Sequence, residues 1–296
     1  MSIYSIWGAL EIGLIFGLVA LGVLISFRIL RFPDLTVDGS FPLGGAVAAT
    51  LITQGFDPFS ATLIATLIGA CAGMVTGWLN VRLKIMDLLA SILMMIALYS
   101  INLRIMGKPN VPLIMEPTVF SILQPDGLSD YIARPLILLA VVILAKFGLD
   151  WFFGTQKGLA MRATGSNARM ARSQGVATGS MILLGMAISN ALVALAGALF
   201  AQSQGGADIS MGIGTIVIGL AAVIVGESIL PSRRLVYATL AVIIGAVLYR
   251  FFIALALNAD FIGLKAQDLN LVTAVLVTIA LVIPLLKKRL RTGKKG

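Results

Sequence analysis

The run Asp34-Leu35-Thr36-Val37-Asp38-Gly39-Ser40-Phe41-Pro42-Leu43-Gly44-Gly45-Ala46-Val47-Ala48-Ala49-Thr50-Leu51-Ile52-Thr53 sets how often this chain crosses a membrane. Its apolar part, 41–53, is too short to span alone, because a crossing helix needs about 20 mainly apolar residues. Joined to 34–40, it is long enough to cross as a broken helix. Asp38 and Ser40 suit the cap of a helix opening at Phe41, and Pro42 suits the first turn, where a missing N–H costs nothing. A helix that opens within a membrane turns free N–H groups and its positive dipole end toward a cavity. Irregular backbone at that depth is tolerated only where it lines protein or water. A plain capped loop at the membrane edge accounts for the same residues, and the sequence leaves both readings open.

Outward from this run, apolar stretches of spanning length lie at 6–27, 58–79, 85–103, 133–153, 180–201, 211–230, 235–257 and 269–286. With 34–53 they predict nine crossings: an all-α polytopic bundle with a broken second helix, one transmembrane domain over 1–296, and termini on opposite sides. The basic residues orient it. With the N-terminus outside, the inner loops carry Arg28 and Arg31, then Arg82 and Lys84. They also carry Lys157, Arg162, Arg169 and Arg172, then Arg233 and Arg234, and the tail adds Lys287, Lys288, Arg289, Arg291, Lys294 and Lys295. Only Arg104, Lys108, Arg134 and Lys265 fall outside, the asymmetry of the positive-inside rule. An eight-crossing count breaks this alternation at 28–38.

Composition agrees. The 296 residues are 59% hydrophobic and 12% charged, whereas soluble domains carry about 25% charged residues. So much apolar surface exceeds what one core in water can hide, so the bilayer is the expected surrounding. The net charge of +9 sits in short clusters between apolar runs, which argues against nucleic acid as a partner. There is no histidine, which removes the usual general base and most zinc sites. No metal site and no catalytic residue is expected. Cys71, the one cysteine, lies within an apolar run, so no internal disulfide framework exists. No basic residue precedes Arg28, so a cleaved signal peptide is not expected. No P-loop motif occurs, so no cofactor is expected on this chain.

Two polar stretches stand out. Residues 154–179, GTQKGLAMRATGSNARMARSQGVATG, predict two short helices across the inner face. The first runs from Lys157 to Ala163 with Gly165 as its left-handed stop, and the second is capped by Ser166 or Asn167 and ends at Gly175. Such a pair either fixes topology only or offers a partner a small-sided basic surface. Residues 202–214, QSQGGADISMGIG, form a second glycine-rich break that opens into an apolar helix on the opposite side from Asp38. Two breaks on opposite sides fit an inverted repeat. Glu11, Asp87, Lys146, Asp150, Glu227 and Arg250 are isolated charges in or near spans, for which function is the default reading and snorkelling or ion pairing the alternative.

The segments GLAMRATGSNARMARSQGV at 158–176 and NALVALAGALFAQSQGGADISMGIGTIVIGLAAVIVGE at 190–227 resemble the permease subunits of bacterial ABC importers. The family is the one containing branched-chain amino acid and ribose-type sugar permeases. FPDLTVDGSFPLGGAVAA at 32–49 and MDLLASILMMIALYSINLRIMGKPNVPL at 86–113 are similar to a branch of it without an assigned substrate. The resemblance implies a multi-pass protein of the bacterial inner membrane that works by alternating access. It implies a second permease copy, a pair of ABC ATPase subunits that hold ATP and Mg, and an extracytoplasmic substrate-binding protein. It places Gly158, Arg162, Ala163, Gly165, Asn167 and Gly175 at the ATPase contact, with Ser166 where the branch often has an acidic residue. Asp38, Gly39 and Ser40 fall near the translocation path, with Asn102 and Asp208 as further candidates. The solute expected is small and polar, with an amino acid favoured. A transporter driven by an ion gradient is the competing expectation.

Overall fold

The computed structural model describes residues 3–124, 129–232 and 234–257, together with Val275, Thr278 and Val282. The expected last crossing at 269–286 and the basic tail otherwise lie outside the described residues, as does Arg233. Among the described residues the chain forms eleven α-helices and one ribbon of two short strands.

Among the described residues, six helical segments are long and apolar enough to cross a membrane: Tyr4–Ile29, Pro58–Leu83, Asp87–Met106, Asp130–Gly154, Thr178–Gln204 and Leu235–Ala256. The first comprises α1 (Ile3–Val23) and a π-helical turn, Leu24–Ile29. The wider turn shows in the bond from Leu30 N–H to Ile25 O, 2.9 Å. Arg31 then ends it with a left-handed φ of 57°, a region that side-chain-bearing residues rarely enter. The remaining spans are α3 (Pro58–Leu83), α4 (Asp87–Met106), α6 (Asp130–Gly154), α9 (Thr178–Gln204) and α11 (Leu235–Leu257). Between them lie α2 (Val37–Thr53), α5 (Val119–Leu123), α7 (Gln156–Ser166), α8 (Ala168–Ser173) and α10 (Thr215–Ile229).

The 34–53 run differs from its expected form. Its helix opens at Val37 rather than Phe41 and continues through Pro42 without a break. The irregular backbone lies ahead of it, over residues 30–36. Pro42 therefore sits inside the helix, where its nitrogen cannot donate to the Asp38 carbonyl one turn earlier. The burial of α2 on nearly every face explains why this is tolerated: packing, not helix propensity, holds it.

α2 lies against α9 with almost no side chain between them. A methyl group on Gly44 would come within 1.9 Å of Ala194 O, and one on Gly197 within 1.9 Å of Phe41 O. In lipid, where no hydrophobic drive pushes helices together, such close backbone approach supplies the dispersion contacts. Gly69 and Gly73 of α3 press onto the same helix, at Ala194 and Met186. Around this centre, Phe16 of α1 stacks on Phe41 at 5.8 Å between centroids, and Phe200 packs on Phe41 at 5.4 Å.

The two ends of the bundle are chemically distinct. At one end Arg28 of the π-helical turn pairs with Glu227 of α10 at 2.7 Å, and Arg82 and Arg172 line one groove. At the other end strand β1 (Asn110–Pro112) pairs antiparallel with β2 (Gly206–Asp208), in the register Asn110↔Asp208 and Val111↔Ala207. There Gln202 accepts from Val119 N–H at 2.9 Å and donates to the Thr62 hydroxyl at 2.8 Å.

Candidate functional site

Two helices begin halfway through the bundle. The first turn of α2 meets Asn190, near the midpoint of α9: the Ser40 hydroxyl donates to Asn190 Oδ1 at 2.7 Å. From there α2 runs toward the ribbon. α10 opens beside the same turn and runs the other way, ending near Arg28. Each start is met by a carboxylate. Asp34 Oδ1 accepts from Thr36 N–H at 3.0 Å ahead of α2. Asp38 Oδ1 accepts from Ile216 N–H at 2.8 Å, and its Oδ2 from Gly214 N–H at 3.3 Å, at the start of α10. The free N–H groups and positive dipole end of each helix thus receive a negative partner. Asp38 caps a helix, but α10 rather than its own.

Behind this pair lies a closed polar network. Asn190 Nδ2 donates to Asp34 Oδ2 at 2.8 Å, and the hydroxyls of Thr36 and Thr76 share a bond of 3.0 Å. Asp34, Thr36, Ser40, Thr76 and Asn190 are all buried. Burying a carboxylate is costly unless bonds replace its water, and these bonds do so while joining α2, α3 and α9. Sequence reasoning missed Asp34, Thr76 and Asn190 in this role. The available signal was a polar residue within each of two apolar runs, at Thr76 and Asn190.

In front of the pair, between α2, α4 and the 209–214 loop, is a cavity of about 460 Å³. Asp38, Gly39 and Asn102 line it, with Pro42, Met95, Ile96, Tyr99, Ser100 and Ile213. Asn102 Nδ2 donates to Gly39 O at 3.1 Å. A carbonyl only accepts, so this bond fixes the amide orientation. Asn102 is 1% exposed, and its Oδ1 has no hydrogen-bond partner among the described residues. A buried acceptor left in that state costs about 1–3 kcal/mol.

Of the five residues expected near a pathway, Asp38, Gly39 and Asn102 meet at this cavity. Ser40 adjoins them but turns to α9. Asp208 stands apart on the ribbon, where Asn110 Nδ2 donates to it at 3.3 Å. The Ser210 hydroxyl, with its backbone N–H, holds the Asp208 carboxyl below the usual carboxylate range.

At the basic end, the 154–179 segment forms the two expected helices with different boundaries. α7 passes through Gly165 to Ser166, and Gly165 is not left-handed. Its role is proximity: a methyl group there would lie 1.7 Å from Ile29 O, at the end of the π-helical turn that follows α1. Gly158 is likewise turned inward, 2.3 Å from Phe152 O by the same measure. Asn167 caps α8 by accepting from Met170 N–H at 3.1 Å, and Gly175, φ 83°, supplies the left-handed exit. Arg162, Ala163 and Asn167 are exposed. Arg162 shares a groove of about 780 Å³ with Arg28, Arg31 and Glu227.

The isolated charges are mostly paired. Glu11 accepts from the Ser203 hydroxyl at 2.7 Å. Lys146 pairs with Asp150, which also accepts from the Thr239 hydroxyl at 2.8 Å and so ties α6 to α11. The Arg250 guanidinium lies over the Phe16 ring, 5.2 Å from its centroid.

Comparison with known proteins supplies the context for this geometry. The family model described as "Branched-chain amino acid transport system / permease component" matches residues 5–285. A tyrosine transport system permease protein of Clostridioides difficile is 41% identical over 89% of this chain and 86% of its own length. An uncharacterized protein of Rickettsia prowazekii is 36% identical over 92% of this chain and 95% of its own. The ribose import permease protein of Escherichia coli is 25% identical over 84% of this chain and 76% of its own. No solved structure matches the chain. The match over nearly its whole length shows that the chain belongs to the branched-chain amino acid transport system permease components, the multi-pass membrane subunits of bacterial ABC importers.

Proposed function

We propose that this permease carries an amino acid inward along a path that passes Asp38, Gly39, Ser40 and Asn102. The observation that carries this reading is the meeting of two half-length helices, α2 and α10, at Asp38 beside a cavity. Paired half-helices opening at mid-depth are the plan on which many transporters build their solute sites. They also support an inverted repeat, with α2 and α10 as its corresponding elements. The amino acid is favoured by the tyrosine transport permease among the relatives.

In this reading the chain is one transmembrane domain with nine crossings, and residues 154–179 form its coupling loop. The N-terminus lies outside and the basic end faces the cytoplasm, as the positive-inside rule requires. The exposed face of α7 and α8, with Arg162, Ala163 and Asn167, docks on an ATPase that binds ATP and Mg. Gly158 and Gly165 act from behind it, transmitting movement to the end of α1, and Gly175 returns the chain to α9. A second permease copy completes the path, and an extracytoplasmic binding protein delivers the solute to the ribbon end, near Asp208. No chemistry occurs in this subunit. ATP closes the ATPase pair and the docked helices rock the bundle between its two openings.

Cysteine labelling tests the arrangement. In a Cys71→Ser background, Ser166→Cys should react with a membrane-impermeant maleimide only in inverted vesicles. Ile114→Cys, 83% exposed beside the ribbon, should react only in intact cells. The opposite pattern, or labelling of both from one side, would refute this topology.

A further inference from the structure

We infer that the cavity between α2 and α4 is itself a recognition site, which takes the ammonium end of a solute with an apolar body. This deepens the reading of the protein as an amino acid permease and rests on it. Met95, Ile96 and Ile213 line it with Tyr99 and Ser100, and Asp38 and Asn102 are held close together there by the bond from Asn102 to Gly39 O. That distribution matches the usual small-molecule site, mostly apolar with a few fixed polar groups. What those groups can receive is specific. Asn102 Oδ1 is an acceptor whose orientation is fixed by the bond to Gly39 O and which has no partner among the described residues. Asp38 brings a negative charge, and among the described residues no Lys or Arg lines the cavity. An acceptor and a carboxylate without a cation fit a donor with positive charge and disfavour an anion.

The ammonium group supplies three N–H donors, enough to bond Asn102 Oδ1 and face Asp38 while the side chain rests on Met95 and Tyr99. Asp38 keeps its bonds to Gly214 and Ile216, because each carboxylate oxygen has a second lone pair. The permease then sorts solutes a second time, after the binding protein, by the charge of the group that enters first. A volume of about 460 Å³ lies within the roughly 300–1,000 Å³ range of small-molecule sites.

The test uses the full chain assembled with its ATPase in lipid nanodiscs and two probes of matched shape, phenethylamine and 3-phenylpropanoate. Saturation-transfer NMR should give at least a fivefold stronger signal for the amine. Asn102→Leu, which leaves the Asp38 charge in place, should reduce that difference at least twofold. Ile96→Trp fills the cavity from a wall residue that is 59% exposed and should lose both signals without affecting assembly. Equal signals from the two probes in the native protein would overturn the inference. So would an amine preference that both substitutions leave undiminished. The parent reading fails separately: native importer that takes up no amino acid with ATP refutes the amino acid assignment, whatever the probes show.

Discussion

Asp38, in the first turn of α2, accepts the Ile216 N–H at 2.8 Å across a sequence gap of 178 residues. One carboxylate thereby belongs to one half-helix and caps another that runs the opposite way. Removing it leaves the start of α10 without a partner and α2 without its cross-link. Asp38→Ala should cost about 1–2 kcal/mol, the range for a lost cap, and lower the melting temperature of the purified permease by several degrees. Uptake should fall further than this stability loss explains, while Asp38→Asn, which keeps one acceptor, should lie between. Unchanged melting and uptake in Asp38→Ala would contradict the cap.

Asn190 holds Asp34 at 2.8 Å and Ser40 at 2.7 Å from the centre of α9. Asn190→Leu leaves Oδ2 of the buried Asp34 carboxylate and the Ser40 hydroxyl without their partner, so a destabilisation of about 3 kcal/mol is expected, above the usual figure for a neutral group. Ser40→Ala should cost about 1 kcal/mol. Combined, the two should fall short of their sum by at least about 0.5 kcal/mol, because they share one network. Strict additivity in denaturation midpoints would count against it.

Lys146 and Asp150 form an ion pair in which both side chains are 11% exposed. Lys146→Met leaves the carboxylate, among the described residues, with Thr239 alone, and breaking a buried pair from one side costs about 3–5 kcal/mol. The double variant Lys146→Met/Asp150→Leu should recover most of that loss. Failure of the second change to rescue thermal stability would show that the pair is not what Lys146 supports.

Gly165 sits where a methyl group would fall 1.7 Å from the Ile29 carbonyl. Backbone cannot yield as a side-chain tip can, so Gly165→Ala must tilt α7 away from α1. Overpacking of this kind costs about 1–3 kcal/mol. The expected result is reduced copurification of the ATPase together with a lower melting temperature. Ala163→Ser, on the exposed face of the same helix, should leave melting unchanged. Equal melting of Gly165→Ala and the native chain would show that α7 is not held at this point.

Much of this architecture was legible in the sequence, because length and apolarity decide it. The six long segments fall within a few residues of the apolar runs, and Asn167 and Gly175 cap and close α8 as their chemistry predicts. The helix starts were less legible. Capping rules placed the opening of α2 at Phe41, but tertiary packing begins it at Val37 and directs Asp38 to α10, a partner that local sequence does not reveal. Glycine near a helix end usually serves as a left-handed stop, but the constraint on Gly165 is the distant Ile29 carbonyl. The Asp34–Asn190 network was hidden for the same reason, since its members are far apart along the chain. Asp38, Gly39 and Asn102 share a cavity, whereas Asp208 has the same residue chemistry on the ribbon, outside the residues that line it.

The central claim is that ATP hydrolysis on a partner drives solute through this chain by way of α7 and α8. The most direct measurement is amino acid uptake into proteoliposomes holding the permease, its ATPase and its binding protein, with proton and sodium gradients collapsed. The account predicts uptake that requires ATP and persists without gradients. It also predicts that Arg162→Glu keeps the bundle folded and ATP hydrolysis running but loses at least tenfold in solute moved per ATP. Uptake that ceases when the gradients collapse, or Arg162→Glu coupled as tightly as the native chain, would contradict it.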